Sequence, residues 1–427
     1  MMKKPLFHIC RIEVLMRTLV VILVCLAFST LGIAQDTVTA LFLGNSYTHR
    51  NSMPTLVDAF AKSTGDRVLY KDNTPGGFTL GEHLTNTTTT NLIKSKNWDF
   101  VVLQEQSQLP SFPDADVQKW VYPAAKGLTD LVKANDSCTD VVFYRTWGRK
   151  NGDSKNCPFW PPVCTYEGMD SLLALRYQTM ANDNGGLVSP VGEVWQKMRT
   201  HYPSVELYKA DESHPSEIGS YAAACCFYTL FFRKDPTLNS FKYSLSDSTA
   251  NRIKRFTKQV VFNHFERWNV GKNDPQVAFE IVSNEEGFVQ FNSTSSNITS
   301  LKWNFGDKST ATVADTSHQY DSSGTYTVKL IGMGCQTNDT AVQMVTVKVN
   351  TVGVSGVKEP IKVLRTHEGF HVYHQGQFAL RVWGLDGKSL MRGTYSGRAV
   401  LPVAQVPDLF VLEVRSSTSV KRFLQVK

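Results

Sequence analysis

From residue 37 to residue 232 the chain switches repeatedly between two hydrophobic periods, and that alternation constrains its fold more than any other feature. Short apolar runs of strand type fall at residues 38–43, 68–70, 100–103 and 141–144, with a fifth expected at 205–208. Amphipathic segments of helical length lie between them, at 53–62, 79–93, 117–134, 167–181 and 192–201. A further helix is expected over 215–232 and a closing one over 249–268. Strands that alternate with helices are joined by right-handed crossovers. The expected fold is therefore α/β, a three-layer domain with a mainly parallel sheet between two helical layers.

The texture changes at 269–275, where Asn, Gly, Asp and Pro mark a linker. Beyond it the helical period is lost. Short β-rich runs at 276–282, 287–291, 301–305 and 326–331 alternate with Ser, Thr, Asn and Gly turns, the pattern of a small β-sandwich. A second linker at 350–356 precedes another β-rich block of the same kind. A chain of 427 residues, 42% hydrophobic and 19% charged, suits about two or three folded domains. The expected division is 1–34, 36–270, 275–350 and 358–427.

The first of these segments reads as a secretory signal. An apolar stretch over 19–28 follows Arg17, and Gly32 and Ala34 bracket Ile33, so cleavage is expected after Ala34. The stretch is shorter than the roughly 20 apolar residues of a spanning helix. No other segment reads as a transmembrane span. Met16 is an alternative start, and Val24 before Cys25 disfavours a lipoprotein anchor. Lys3, Lys4, Arg11 and Arg17 against Glu13 give this segment +3 of the formal +7, leaving +4 for the remainder. So small a charge, with both signs mixed, excludes nucleic acid as an expected partner. Export also bears on the six cysteines after residue 34. Cys157 and Cys164 flank a Pro-rich loop and are read as a local disulfide, with free thiols or zinc as alternatives. Cys225 and Cys226 sit in an apolar helical run and are expected to be buried.

Ligands of open α/β sheets bind beyond the carboxyl ends of the strands. Four segments there carry chemistry. The first strand ends in Leu43-Gly44-Asn45-Ser46-Tyr47-Thr48, which puts a hydroxyl at the lip of the sheet. It lacks the Gly-x-Ser-x-Gly elbow of the α/β-hydrolases. Asn73-Thr74-Pro75-Gly76-Gly77-Phe78-Thr79 follows the second strand, where a Gly lets a backbone N–H approach a bound oxyanion. Leu103-Gln104-Glu105-Gln106-Ser107 follows the third and offers side-chain amides. Asp211-Glu212-Ser213-His214-Pro215 precedes the last helix; a carboxylate three residues before a His can meet Nδ1 while Nε2 faces outward. Pro215 is expected at the first helical position, holding the His at the mouth of the site. Taken singly, each segment also fits an ordinary turn.

Their order along the chain resembles the SGNH (GDSL-like) hydrolases, over about residues 37–232. The resemblance implies a flavodoxin-like fold, a nucleophile at Ser46 and a triad completed by His214 and Asp211. It implies an oxyanion hole of the Ser46 N–H, a loop Gly N–H (Gly77, favoured by its Gly-x-Thr setting, or Gly76) and a side-chain amide, from Gln106 or else Gln104. The family's usual Asp is Asn45 here, and its Asn within Gly-x-Asn-Asp is absent. The blocks Gly-Asn-Ser, Leu-Gln-Glu-Gln-Ser and Ser-His-Pro-Ser are closest to a subgroup of exported bacterial proteins. Trp147 and Arg149, with Trp160, are read as an aromatic and cationic wall for a sugar; a pinned surface loop is the plainer alternative. Asn45 is a third candidate for substrate contact. His49 and His83 need no catalytic role.

Leu301-Lys302-Trp303-Asn304-Phe305-Gly306-Asp307, His318-Gln319-Tyr320 and Gly324-Thr325-Tyr326-Thr327-Val328 resemble the PKD domain, an Ig-like sandwich. Trp303 and Phe305 are expected in its core, with a turn at Gly306-Asp307. Residues 358–427, through Val382-Trp383-Gly384-Leu385-Asp386-Gly387-Lys388, 409–414 and the basic end Lys421-Arg422-Phe423, resemble a type IX secretion C-terminal sorting domain. That resemblance implies a Bacteroidetes-type source, a secretion-machinery partner and release or surface attachment. A plain β accessory domain is the alternative. Taken together, the expectation is hydrolysis of an O-acyl ester, acetyl foremost, on a carbohydrate through an acyl-enzyme, with no metal or cofactor. An acyltransferase with the same triad and a non-catalytic glycan binder are the competing readings. The hydrolase reading requires Ser46 Oγ within hydrogen-bond reach of His214 Nε2.

Overall fold

A computed structural model describes residues 36–349 and 361–426, apart from 367–368, 386, 403, 405–407 and 417–419. The expected signal segment and the linker at 350–356 lie outside the described residues. The chain divides into two units that meet at Asp274 and Pro275.

The first unit is built on five parallel strands: β1 Thr37–Leu43, β2 Arg67–Asn73, β3 Phe100–Leu103, β4 Asp140–Tyr144 and β5 Leu187–Ser189. Their order is β2-β1-β3-β4-β5, a flavodoxin-like topology. Ala40–Leu43, Val101–Leu103 and Val141–Tyr144 are all buried, as strands covered on both faces must be, which is why they read as unbroken apolar runs. The helices are α1 Met53–Lys62, α2 Leu80–Thr85, α3 Thr87–Lys94, α4 Tyr122–Asn135, α5 Tyr166–Asp183, α6 Val191–His201, α7 Glu217–Phe232 and α8 Asp247–Val260. Helices α1, α6, α7 and α8 pack on one another, and α2, α3, α4 and α5 form the other layer. Helix α7 is apolar nearly all round and is buried from Gly219 to Phe231, with Cys225 and Cys226 inside as free thiols. Phe42 of the central strand meets Phe227 of α7 edge-on, with ring centres 5.5 Å apart.

Four expectations are corrected. The fifth strand is Leu187–Ser189, and 205–208 makes only an isolated bridge, from Tyr208 to Pro215. Leu207 and Tyr208 are buried, so the stretch copies the apolar pattern of a strand without joining the sheet. The helix expected over 79–93 is two, because Asn86 ends α2 and accepts the Thr89 N–H to cap α3. Pro215 stands outside α7: Ser216 is the cap, its hydroxyl accepting the Gly219 N–H. The closing helix stops at Val260 and continues as 3-10 turns over Phe262–Trp268, broken by His264 at φ −144°.

The second unit is antiparallel throughout. Strands β6 Phe279–Glu285, β7 Phe288–Ser293 and β10 Thr316–Gln319 form one sheet; β8 Ser300–Asn304, β9 Thr310–Ala311, β11 Gly324–Met333 and β12 Asn338–Val347 form another. Trp303, Phe305 and Tyr320 lie in their shared core, and Gly306 makes its turn at φ +86°. A five-stranded sheet follows. Its long strand β14 (Gly369–Trp383) pairs with β15 (Ser389–Pro402) along one edge. Along the other it pairs first with β13 (Lys362–Thr366) and then with β16 (Leu409–Ser416), which in turn pairs with β17 (Val420–Val426).

The order of the first sheet reverses between β1 and β3, so the crevice for a ligand opens beyond Leu43 and Leu103. Phe42 fixes that edge to α7. Phe42→Ala is expected to cost about 3–5 kcal/mol, the usual loss for a large buried aromatic, as read by urea unfolding.

Candidate active site

Beyond Leu43 the chain turns sharply into one helical turn, Ser46–His49, capped by the Asn45 side chain, whose oxygen accepts the Tyr47 N–H at 3.1 Å. Gly44 is required by close approach rather than by φ: an added Cβ would stand 2.6 Å from Thr48 Oγ1 and 2.7 Å from Gln104 Oε1. The same Gln104 oxygen accepts the Asn45 N–H and the Thr48 hydroxyl, each at 2.9 Å. Buried His83 holds the Gly44 carbonyl from Nε2 at 2.8 Å. That bond makes Nε2 the donor, so Nδ1 accepts from the Thr89 hydroxyl, also at 2.8 Å. Burial pushes the His83 imidazole below its ordinary range, which keeps it neutral.

The second turn is organised by Asp211. One carboxylate oxygen accepts the Ser213 and His214 N–H groups at 3.0 and 2.9 Å, and the other accepts the imidazole Nδ1–H at 2.7 Å. Partial burial would raise the Asp211 carboxyl, but these three hydrogen bonds together hold it below the ordinary carboxylate range. Glu212 takes the left-handed conformation at φ +60° to close the turn. His214 Nε2 then faces Ser46 Oγ at 2.8 Å. The structure thus brings Ser46, His214 and Asp211 within hydrogen-bond reach of one another in series.

Buried aromatics hold the two turns in register. Tyr47 stacks on Trp147 (ring centres 5.0 Å), which stacks on Trp195 (3.6 Å), and Tyr47 also meets the His214 ring edge-on at 5.5 Å. The Tyr47 and Ser213 hydroxyls are 2.6 Å apart, and Trp147 Nε1 donates to the Ser213 carbonyl at 3.1 Å. Asn51, at φ +55°, donates its side-chain amide to the Pro215 and Ser216 carbonyls and the Ser220 hydroxyl. Sequence reasoning missed Tyr47 and Asn51; only adjacency to Ser46 marked the first.

Of the expected substrate wall, Trp147 is withdrawn from solvent, while Arg149 and Trp160 stay partly exposed. Trp147 is 0% exposed because β4 delivers it beneath the His214 turn. Arg149 is paired with Asp153 at 3.2 Å, and Trp160 donates to the Ser111 carbonyl. Asn45 is buried and donates its amide to the Phe78 carbonyl at 2.9 Å, which leaves it a brace. Cys157 and Cys164 do form a disulfide, Cα atoms 4.6 Å apart, and within that loop Phe159 is 86% exposed.

The oxyanion candidates separate similarly. Gly77 has φ +77° with open space around its Cα, and neither it nor Ser46 donates its N–H to a protein acceptor among the hydrogen bonds of the described residues. Gln106 is engaged within its own loop: its oxygen accepts the Gln108 and Leu109 N–H groups and its nitrogen donates to Gln108. Gln104 is wholly buried, and its nitrogen donates to the Glu105 carbonyl. Trp147→Ala is expected to cost about 3–5 kcal/mol in thermal unfolding, as a core aromatic does, against about 0.5 kcal/mol for a solvent-facing wall residue.

The PKD domain family matches residues 277–349. No curated protein matches the chain. Among solved structures, a DUF4886 family protein from Bacteroides uniformis is 17% identical, with 54% of this chain and 95% of that one covered and a TM-score of 0.46. A candidate SGNH hydrolase from Slackia heliotrinireducens is 27% identical, with 45% and 98% covered and a TM-score of 0.38. The PKD1 domain of a Vibrio cholerae metalloprotease is 32% identical, with 18% and 98% covered and a TM-score of 0.17. The second unit of this chain therefore carries a PKD domain over residues 277–349.

Proposed function

We propose that this chain is an exported serine esterase of the SGNH type that removes a short O-acyl group, acetyl foremost, from a carbohydrate. The observation that carries the reading is the unbroken line from the Ser46 hydroxyl to His214 Nε2 at 2.8 Å and from Nδ1 to Asp211 at 2.7 Å.

Ser46 Oγ attacks the ester carbonyl as its proton passes to His214 Nε2, and Asp211 stabilises the resulting imidazolium. The carbonyl oxygen, now negative, is met by the Ser46 and Gly77 N–H groups. These two are the proposed oxyanion donors, in place of a third amide from Gln106 or Gln104. His214 returns its proton to the departing alcohol oxygen and leaves an acyl-Ser46. Water then gives a proton to His214 as it attacks the acyl carbon, and the carboxylic acid leaves as Ser46 recovers its hydrogen.

Gly76, Gly77 and Asp211 are solvent-exposed, an openness that favours an ester standing on a bulky carbohydrate over a long acyl chain needing its own slot. The export part of the proposal rests on the signal-like residues 1–34, and release by a type IX route on the resemblance within 358–427. The proposed domains remain 36–270 for the hydrolase, 275–350 for the PKD module and 358–427 for sorting.

The test is hydrolysis of p-nitrophenyl acetate and of acetylated xylan by the full chain. Ser46→Ala is expected to lower kcat by about 10³-fold or more, the scale seen when a triad nucleophile is removed. Equal rates from the two proteins would overturn the reading and favour a glycan binder.

A further inference from the structure

Glu105 is a buried carboxyl that the catalytic steps do not use. It follows β3 at the point where the sheet order reverses, and it is 0% exposed. Its Oε1 accepts two backbone N–H groups, Leu80 at 3.0 Å and Gln106 at 2.6 Å. Its own N–H donates to the buried Tyr177 hydroxyl at 3.1 Å, and Oε2 has no hydrogen-bond partner among the described residues. Burial pushes the carboxyl up to about 7. A group so costly to bury is kept where a specific contact needs it.

That contact is with the start of α2. Leu80 is its first residue, and a capping box satisfies two of the first-turn donors: Thr79 accepts the Glu82 N–H, and the Glu82 carboxylate accepts that of Thr79. Glu105 takes the buried Leu80 N–H that this box leaves free, and so extends the cap from outside the helix. What it adds is a tie between the loop after β3 and the loop after β2, three residues downstream of Gly77. On the other side Asn45 donates to the Phe78 carbonyl at 2.9 Å. Gly77 and Phe78 are thus held between a brace from the nucleophile turn and a brace from Glu105.

We infer that Glu105 is a positioning residue for the oxyanion hole: by accepting the Leu80 N–H it fixes where the Gly77 N–H meets the developing negative oxygen. This rests on the esterase reading above. Such a residue acts on the transition state more than on the bound ester, because the donor must fit the tetrahedral oxygen and not the planar carbonyl.

The experiment compares wild type, Ser46→Ala, Glu105→Gln and Glu105→Ala of the full chain with p-nitrophenyl acetate. A fluorophosphonate, which loses fluoride as Ser46 Oγ bonds to phosphorus, supplies a tetrahedral mimic. Gln keeps the acceptor oxygen for the Leu80 and Gln106 N–H groups, so Glu105→Gln is expected within about threefold of wild type. Glu105→Ala is expected to lose about 10–100-fold in kcat, somewhat less than removal of an oxyanion donor outright, with KM unchanged. Its reactivity toward the phosphonate is expected to fall in parallel. If Glu105→Ala does not fold, Glu105→Asp, which withdraws the oxygen from Leu80, is expected to show the same loss of kcat at constant KM. A folded Glu105→Ala or Glu105→Asp with wild-type kcat overturns the inference, as does a Gln variant as impaired as Ala. Absence of Ser46-dependent hydrolysis in wild type is a different result: it removes the esterase reading and this inference with it.

Discussion

The hydrogen bond between Ser46 and His214 spans 168 positions of sequence and joins two turns at the edge of the sheet. A single bond of this kind contributes about 1 kcal/mol net, far too little to hold two turns together. Its geometry is imposed from below. The Tyr47–Trp147–Trp195 stack underlies both turns, and Trp147 carries a hydrogen bond to the Ser213 carbonyl from within that stack. Asn51 ties the segment after Ser46 to the start of α7. The relay is held short from beneath, by the stacked rings and by the Trp147 bond to the Ser213 carbonyl.

A second buried network carries the load further down. Arg145, just beyond β4, pairs with Asp170 of α5 at 3.1 Å, both nearly inaccessible to water, and with the partly buried Glu193 of α6 at 3.2 Å. Asp170 also accepts the Gly148 N–H, and Tyr208 donates to the Gly148 carbonyl at 2.7 Å. Burial raises the Asp170 carboxyl while Arg145 opposes that rise. Removing one partner of such a pair leaves a buried charge, at about 3–5 kcal/mol. The segment that presents Trp147 is thereby pinned at both ends. Rigid support of this sort is what a preorganised site requires, because misplacement by about 1 Å is enough to lose much of a rate.

Much of this was legible in the sequence wherever a strand was long and a motif local. Strands β1 and β3 announced themselves as apolar runs, and Asp211 with His214 needed only a turn of four residues to meet. Trp303 and Phe305 followed from alternation alone. What was not legible depended on tertiary context. Strand β5 is three residues long, too short to show a period, while 205–208 imitated one. Trp147 after β4 has the same letters whether it faces a sugar or a core, and only the packing of Tyr47 and Trp195 decides. Gln106 looked free to reach an oxyanion because its partners, Gln108 and Leu109, are ordinary neighbours with no pattern to betray them. Glu105 passed unremarked between two glutamines, since nothing local says that its carboxyl will be buried against α2.

The central claim, that Ser46 is a nucleophile activated by His214, is tested most directly by covalent labelling. Intact-mass and peptide-mapping spectrometry after treatment with a fluorophosphonate should find one adduct per chain, located on Ser46. His214→Ala should abolish it while leaving the fold intact. A chain that takes up no label, or takes it on another residue with Ser46 unmodified, would contradict the account.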